Sequence, residues 1–380
     1  MVLLFAVVCA TCVEPYTPEV DKYEEVVVID GFISDAPPPY TIRISRSFHY
    51  DDPFGSPEKE ATVYIWDDRG NSVRCYEESP GVYKSADMDF RGEIGRMYRL
   101  HVYTRDQQVY ESDFVELKAV PGIERLYAEF EELAEAGGVQ PGFQIYVDSQ
   151  DPDRNTRFYR YEYEETWEFQ VPYPSVFEYE NHVLFDRTED VSTCWKTESS
   201  TRIMTFSTER LDADIIKAFP ITFVPTDQNK LRIKYSILVR QYAMSQEAYQ
   251  FWEQLKGTNQ NTGTLFDPQP MQITSNFYHI EDSEVPVIGF FEASAVSERR
   301  IFLTRGDVPQ GIPVPGGFDY CKYLYLVIEM TRVNRYGDRQ YCIVNRDATE
   351  TVFFGYGIIR EHACCDCTES GYNTRPDYWK

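Results

Sequence analysis

Lys230-Leu231-Arg232-Ile233-Lys234-Tyr235-Ser236-Ile237-Leu238-Val239-Arg240 is the stretch on which the fold turns. Apolar residues take alternate positions at Leu231, Ile233, Tyr235, Ile237 and Val239. Arg232, Lys234, Ser236 and Arg240 stand between them, and Leu238 breaks the pattern once. Successive side chains of a strand point to opposite faces, so a period of two predicts a long strand with one buried face. The period then changes. Ser245 offers a hydroxyl to cap a helix N-terminus, and Ala248, Phe251, Trp252 and Leu255 follow at helical spacing. Lys256 suits the negative C-terminal end and Gly257 can take a left-handed conformation, which predicts a helix over 245–257. Strand-like text resumes from Val287 to Ala295 and from Arg300 to Thr304. One amphipathic helix therefore stands on a β-rich body, and nothing in the stretch supplies a nucleophile, a base and an orienting group together.

Working outward toward the N-terminus, short strands and turns crowd residues 24–120. The runs Val26 to Ile29, Tyr40/Ile42/Ile44 and Ala61 to Trp66, the hairpin turn Asp68-Arg69-Gly70-Asn71 leading into Val73 to Tyr76, the short run Gly81-Val82-Tyr83, and the runs 97–103 and 109–117 give about seven strands. That density of strands is the expectation for an immunoglobulin-like sandwich. Val120-Pro121-Gly122-Ile123 marks a boundary. The fold class expected is mainly β: an N-terminal immunoglobulin-like β-sandwich over 24–120, then a larger β-sandwich-like domain over 121–363 with the one inserted helix, and a Cys-rich C-terminal tail over 364–380. Within the larger domain, Glu124 to Phe130 reads as strand or helix and Glu131 to Gly138 as a turn.

The ends of the chain carry signals of another kind. Val2 to Val8 is almost wholly apolar and runs into Cys9-Ala10-Thr11-Cys12. An apolar run closing on small residues reads as a secretory signal, and a cysteine directly after it as a bacterial lipoprotein site. Residues 1–12 are then a lipoprotein signal with Cys12 the lipidated residue, and 13–23, with Pro15 and Pro18, a tether. An exported chain makes disulfides the default for the seven remaining cysteines, Cys75, Cys194, Cys321, Cys342, Cys364, Cys365 and Cys367. An odd number leaves at least one thiol unpaired within the chain. The cluster Cys364-Cys365-Asp366-Cys367 has zinc-ligand chemistry as an alternative, although it lacks a second close Cys pair.

Two further groups are candidate sites. Asp148, Asp151 and Asp153 crowd one loop with Asn155; their oxygens suit calcium, but the spacing is not that of an EF-hand and ordinary turn chemistry accounts for it equally. Phe158 to Phe169 places Tyr159, Tyr161, Tyr163 and Trp167 on one strand face. Exposed, such a row stacks on sugar rings or lines a partner groove; buried, it is core. The net charge of −25 repels phosphate backbones and argues against nucleic acid as a partner. None of the histidines, His49, His101, His182, His279 and His362, forms a zinc-protease helix motif, and no Gly-x-Ser-x-Gly elbow, P-loop or dinucleotide fingerprint occurs. Neither a cofactor nor a catalytic residue is indicated.

Taken together, several stretches resemble one family, the lipoproteins of Bacteroidota known as domain of unknown function four-two-four-nine. They are Cys12-Val-Glu-Pro-Tyr-Thr-Pro, Val28-Ile-Asp-Gly-Phe-Ile-Ser, Gly92-Glu-Ile-Gly-Arg-Met-Tyr-Arg-Leu, Ser236 to Leu255, Leu265-Phe-Asp-Pro-Gln-Pro, Gly289-Phe-Phe-Glu-Ala-Ser and the Cys-rich end with Arg375-Pro-Asp-Tyr-Trp. The resemblance implies a lipid-anchored outer-membrane protein, on the periplasmic or the cell-surface side, often found beside a TonB-dependent receptor. It carries no established activity. The expected function is that of a non-enzymatic accessory lipoprotein that helps such a transporter capture or gate a ligand. A stand-alone glycan- or peptide-binding module and, behind it, a hydrolase with carboxylate or Cys chemistry are the alternatives.

Overall fold

The computed structural model describes residues 25–47, 55–135, 137–180, 183–260, 275–322, 324–327, 342–349, 353–359 and 361–379. Cys12, the segment 1–12, the tether 13–23 and the Leu265 to Pro270 stretch lie outside the described residues.

The protein is mainly β. Its first unit opens with β1 (Val27–Ser34), β2 (Thr41–Arg46), β3 (Thr62–Asp67), β4 (Ser72–Ser79), β5 (Val82–Ser85), β6 (Met97–Tyr103), β7 (Val109–Ser112) and β8 (Val115–Glu116). Alternation is strict where one face is buried. On β3, Val63 and Ile65 point inward while Tyr64 and Trp66 point out; on β6, Tyr98, Leu100 and Val102 point inward. The β3–β4 hairpin turns at Asp67, whose carboxylate accepts from the Arg69 and Asn71 backbone N–H groups at 2.9 and 2.8 Å and pairs with Arg96 at 2.8 Å.

The second unit begins with β9 (Ile123–Glu135), β10 (Gly138–Gln150), β11 (Phe158–Gln170), β12 (Phe177–Glu180), β13 (Val183–Asp186), β14 (Thr193–Ser199), β15 (Met204–Ser207), β16 (Ile215–Pro225) and β17 (Lys234–Met244). Residues 131–135, read from the sequence as a turn, continue β9 and pair with 138–142 of β10. β9, β10 and β16 form one sheet, and β11, β14, β15 and β17 a second that faces it. Phe143, Ile145 and Val147 from the first meet Tyr159, Tyr161, Tyr235, Ile237 and Val239 from the second in one core, a sandwich.

The chain then crosses back. After helix α1 (Gln246–Gln260), β18 (Phe277–His279) and β19 (Val287–Ser294) join the first unit. β18 pairs with β7, and β19 pairs in parallel with β1 along its whole length. The first sheet thus has ten strands, and its two ends approach. Asn276 closes the gap: its amide donates to the Phe291 carbonyl and accepts from the Phe291 N–H, both at 2.9 Å. The result is a sheet curled almost into a barrel. Two strands from the 121–363 range therefore complete the unit that the sequence bounded at 120. The boundary reading missed this because long-range parallel pairing leaves no local signature. β20 (Val296–Thr304) follows β19 after a single residue and pairs with β17 in the second unit. One continuous run of chain is thereby shared by both sheets. β21 (Leu324–Val327), β22 (Cys342–Thr349) and β23 (Phe353–Ile359) form a small separate sheet.

Gly289 makes the parallel joint possible. Its φ is +145°, and a Cβ there would stand 1.8 Å from the Ile29 carbonyl oxygen. Two of the stretches that carried the family resemblance, 28–34 and 289–294, turn out to be this pair of strands.

The helix is where the sequence put it, with one difference. Ser245 caps it, its hydroxyl accepting from the Ala248 N–H at 3.1 Å. Gly257 does not end it; the helix runs on to Gln260. Ala248, Phe251, Trp252 and Leu255 pack on Met244, Phe158 and Phe290, so α1 fills the groove between the two units. The tail is not a loose appendage. Trp379 is buried against Phe302, and its indole N–H donates to Glu168 at 2.9 Å. Tyr378 lies under the Arg300 guanidinium at 3.6 Å.

Candidate functional site

Where β1, β2, β11, β17, β19 and α1 converge, they leave a cleft of about 610 Å³. Its floor is built around Arg160. Tyr159 and Tyr161 point into the sandwich core, so alternation on β11 sends Arg160 the other way, toward the first unit. The guanidinium is held in a ring of aromatics, 4.5 Å from the Tyr242 ring centre, 4.9 Å from Trp252 and 5.9 Å from Phe32. Two carboxylates balance it: Glu162, in direct contact, and Glu292, at 3.6 Å. Arg160 and Glu292 are nearly out of water, at 9% and 6% side-chain exposure. Burial works against the charge on Arg160, yet Glu292 and Glu162 outweigh it and the guanidinium stays charged.

Glu292 shows the opposite balance. Burial raises its carboxyl above the ordinary range, and Arg160 and the Trp252 N–H offset this only in part. A raised carboxyl in a cleft is what a general acid requires. Here, however, one oxygen accepts from Trp252 and the other faces Arg160, so the group is tied into the wall. The cleft mouth carries the exposed charges. Arg43 and Asp30 face each other at 3.5 Å, and Arg240 donates to Glu298 at 2.7 Å. Arginines and carboxylates alternate around a partly aromatic wall, a lining suited to binding a ligand that has both charge and a flat apolar part.

The candidates singled out in the sequence lie elsewhere. Tyr159, Tyr161 and Trp167 are buried in the sandwich core, and Tyr163 is half-buried against it. The row is covered by β10 and β16, with Tyr161 stacked on Phe219 at 4.8 Å, so it offers no stacking surface for a ligand. The three aspartates are not brought together around a cavity. Asp148 accepts from the Ala218 N–H at 2.8 Å and stands near Arg125. Asp151 accepts from the backbone N–H groups of Asp153, Asn155 and Thr156, which makes it the organiser of a turn. Among the described residues no group of three His, Cys, Asp or Glu is placed to hold a metal ion.

The cysteines form three disulfides: Cys194–Cys367, Cys321–Cys364 and Cys342–Cys365. The cluster expected as disulfide or zinc site is therefore fully oxidised, and Cys194 on β14 is the partner that fastens the tail. Among the described residues Cys75 is the unpaired thiol; burial pushes it up to about 12 and leaves it inert. Arg160 went unnoticed in the sequence. Its only signal was a cation between two core tyrosines, which the surrounding carboxylates disguise as ordinary surface alternation.

Fold and cleft together define a mainly β protein of two interleaved units with a charged groove at their junction. The chain belongs to the family of the domain of unknown function DUF4249, which matches it over residues 13–300. No curated protein matches it. Among solved structures, a DUF4785 family protein from Legionella pneumophila aligns at 10% identity over 57% of this chain and 52% of its own, with a TM-score of 0.17. The BSP domain of a biofilm associated protein aligns at 8% identity over 76% of this chain and 62% of its own, with a TM-score of 0.14. This chain thus spans less than two thirds of either, and likeness at that level carries no argument.

Proposed function

We propose that this protein is a non-enzymatic accessory lipoprotein of the outer membrane, anchored through Cys12, that captures a ligand beside a TonB-dependent transporter. The observation that carries this reading is the junction cleft, with Arg160 and Glu292 fixed at its floor and exposed Arg43 and Asp30, with half-buried Arg240, at its mouth. Three disulfides in the folded chain fit an exported protein. The lipid anchor rests on the apolar run that closes at Cys12, and the outer membrane and the transporter come from the family resemblance. The test is a gentle detergent extraction of the full-length protein from its native membrane, with identification of what travels with it. A TonB-dependent barrel in near-equal amount supports the reading. Recovery of the protein alone overturns the partnership and leaves a free-standing binder.

A further inference from the structure

The aromatic row that sequence reading placed on β11 is core, but a second set of rings lies on the outside of the first unit. On β3, β4, β6, β7 and β18 the inward positions belong to the curled sheet's core. The outward positions carry Tyr64 and Trp66 on β3, Tyr76 on β4, His101 and Tyr103 on β6, and Tyr278 on β18. Register sets them side by side. Tyr278, Glu111, His101, Tyr64 and Arg74 form one row across five strands. Trp66 lies opposite Arg99, and Thr62 opposite Tyr103. Tyr76, Tyr103 and Tyr278 are exposed at 50%, 43% and 40%, and Tyr64 and Trp66 are half-buried.

We infer that this outer face is a binding platform for a neutral oligosaccharide. A pyranose presents a C–H face that rests on the negative face of an aromatic ring, and hydroxyls at its rim that need hydrogen-bond partners. The platform supplies both in alternation. At its centre Glu111 accepts from Arg99, from His101 Nδ1 at 3.3 Å and from the Tyr278 hydroxyl at 3.1 Å. Glu111 is itself buried, so it serves as the anchor that fixes the half-buried Arg99 guanidinium and the exposed Tyr278 phenol among the rings, where a sugar hydroxyl can reach them. Arg99 also lies over Phe114 at 4.8 Å, and His101 over Tyr103 at 4.5 Å, so the side chains are already ordered and little freedom is lost on binding.

The same features disfavour a protein partner. The core of a protein interface is depleted of charge, whereas here the Arg99–Glu111–His101 group is central and only Met97 and Val109 are aliphatic among the outward positions. The net charge of −25 favours a neutral over an acidic polysaccharide. The inference is independent of the junction cleft.

The test is native affinity electrophoresis of the full chain in gels cast with neutral polysaccharides: a soluble β-glucan, a xyloglucan, a galactomannan, an α-mannan and starch. Retardation by at least one of them is expected. Trp66→Ala and Tyr103→Ala are each expected to weaken that association about tenfold, equivalent to about 1.4 kcal/mol for one ring contact. Tyr76→Ala, at a well-exposed position, supplies a variant whose fold is not at risk. Tyr320→Ala, exposed at 54% outside this sheet, is expected to migrate as the parent does. Unretarded migration of the parent in all five gels overturns the inference. So does retardation that Tyr76→Ala and Tyr103→Ala both leave unchanged.

Discussion

Two strands of this molecule carry aromatic residues at alternate positions, and they put them in opposite places. On β11, Tyr159, Tyr161 and Trp167 are buried; on β3, Tyr64 and Trp66 face outward. A period of two reports that residues share a face but not which face is wet. The interleaved residues decide it. On β11 they are Arg160, Glu162 and Glu164, so the rings are the only apolar set available for a core. On β3 they are Val63 and Ile65, β-branched residues that fill the inner face and leave the rings as surplus outside. An alternating aromatic row is therefore a surface candidate only where its interleaved partners are themselves apolar.

The sharpest way to break this contrast is to truncate one ring from each row. Tyr161→Ala is expected to cost about 4 kcal/mol, since it empties a packed site against Phe219 in the middle of the sandwich. Chemical denaturation measures it. Tyr161→Phe sharpens the same point. The Tyr161 hydroxyl is buried with no hydrogen-bond partner, so its removal is expected to leave stability unchanged or raise it by up to about 1 kcal/mol. A large loss in the phenylalanine variant would mean that the hydroxyl has a partner and that the face is not pure core.

The next effect tests the frame that presents the outer row. Gly289→Ala forces a Cβ onto the Ile29 carbonyl at a positive φ, and is expected to cost about 3 kcal/mol from overpacking and backbone strain together. Because β1 is the one strand that β19 pairs with among the described residues, hydrogen exchange should quicken first in β1 and β19, while the β10–β11 sandwich stays protected. Uniform loss of protection would show instead that the two units unfold as one.

How much of this was legible follows from the range of each interaction. The strand 234–244, the helix with its Ser245 cap and the hairpin at Asp67 are set by neighbours a few residues away, and the sequence displays them. The return of 277–294 to the first sheet and the Cys194–Cys367 link are set by partners far along the chain, which leave no periodic trace. The cleft falls in the second class. Phe32, Arg160, Trp252 and Glu292 lie on four different elements, and each alone looks like ordinary alternation. The aspartates at 148–153 stayed ambiguous for the opposite reason, since a turn and a calcium loop use the same oxygen-rich residues.

Asp67 links the outer row to pH. Burial works to raise its carboxyl, but hydrogen bonds from Asn71, Arg69 and Arg96 prevail and hold it below the ordinary range. A carboxyl lowered in the folded state contributes stability that is fully present above its unfolded value, and that contribution is lost as pH falls through the folded value. Asp67→Ala is accordingly expected to cost about 2 kcal/mol at neutral pH, the scale of hydrogen bonds to a charged acceptor. The difference between parent and variant should shrink in acid, below the unfolded carboxyl value of about 3.9. Denaturation midpoints measured at neutral pH and in acid read this directly, and a gap that does not narrow would place the effect in packing rather than in the carboxylate.

The smallest expected effect on stability is the most informative about the comparison. Tyr103→Ala removes a ring that is 43% exposed on β6 and whose ring partner is His101 on its own strand. Replacements at such positions usually fall within about 0.5 kcal/mol. The same substitution is expected to weaken polysaccharide retention about tenfold, as one lost ring contact implies. Tyr161→Ala should show the reverse, a large loss of stability with no specific effect on binding in whatever fraction stays folded. If Tyr103→Ala instead unfolds the first unit, the outer rings are structural after all, and both rows serve only as packing. If neither stability nor retention moves, the exposed row is solvent-facing surplus, and alternation with apolar partners does not by itself mark a binding face.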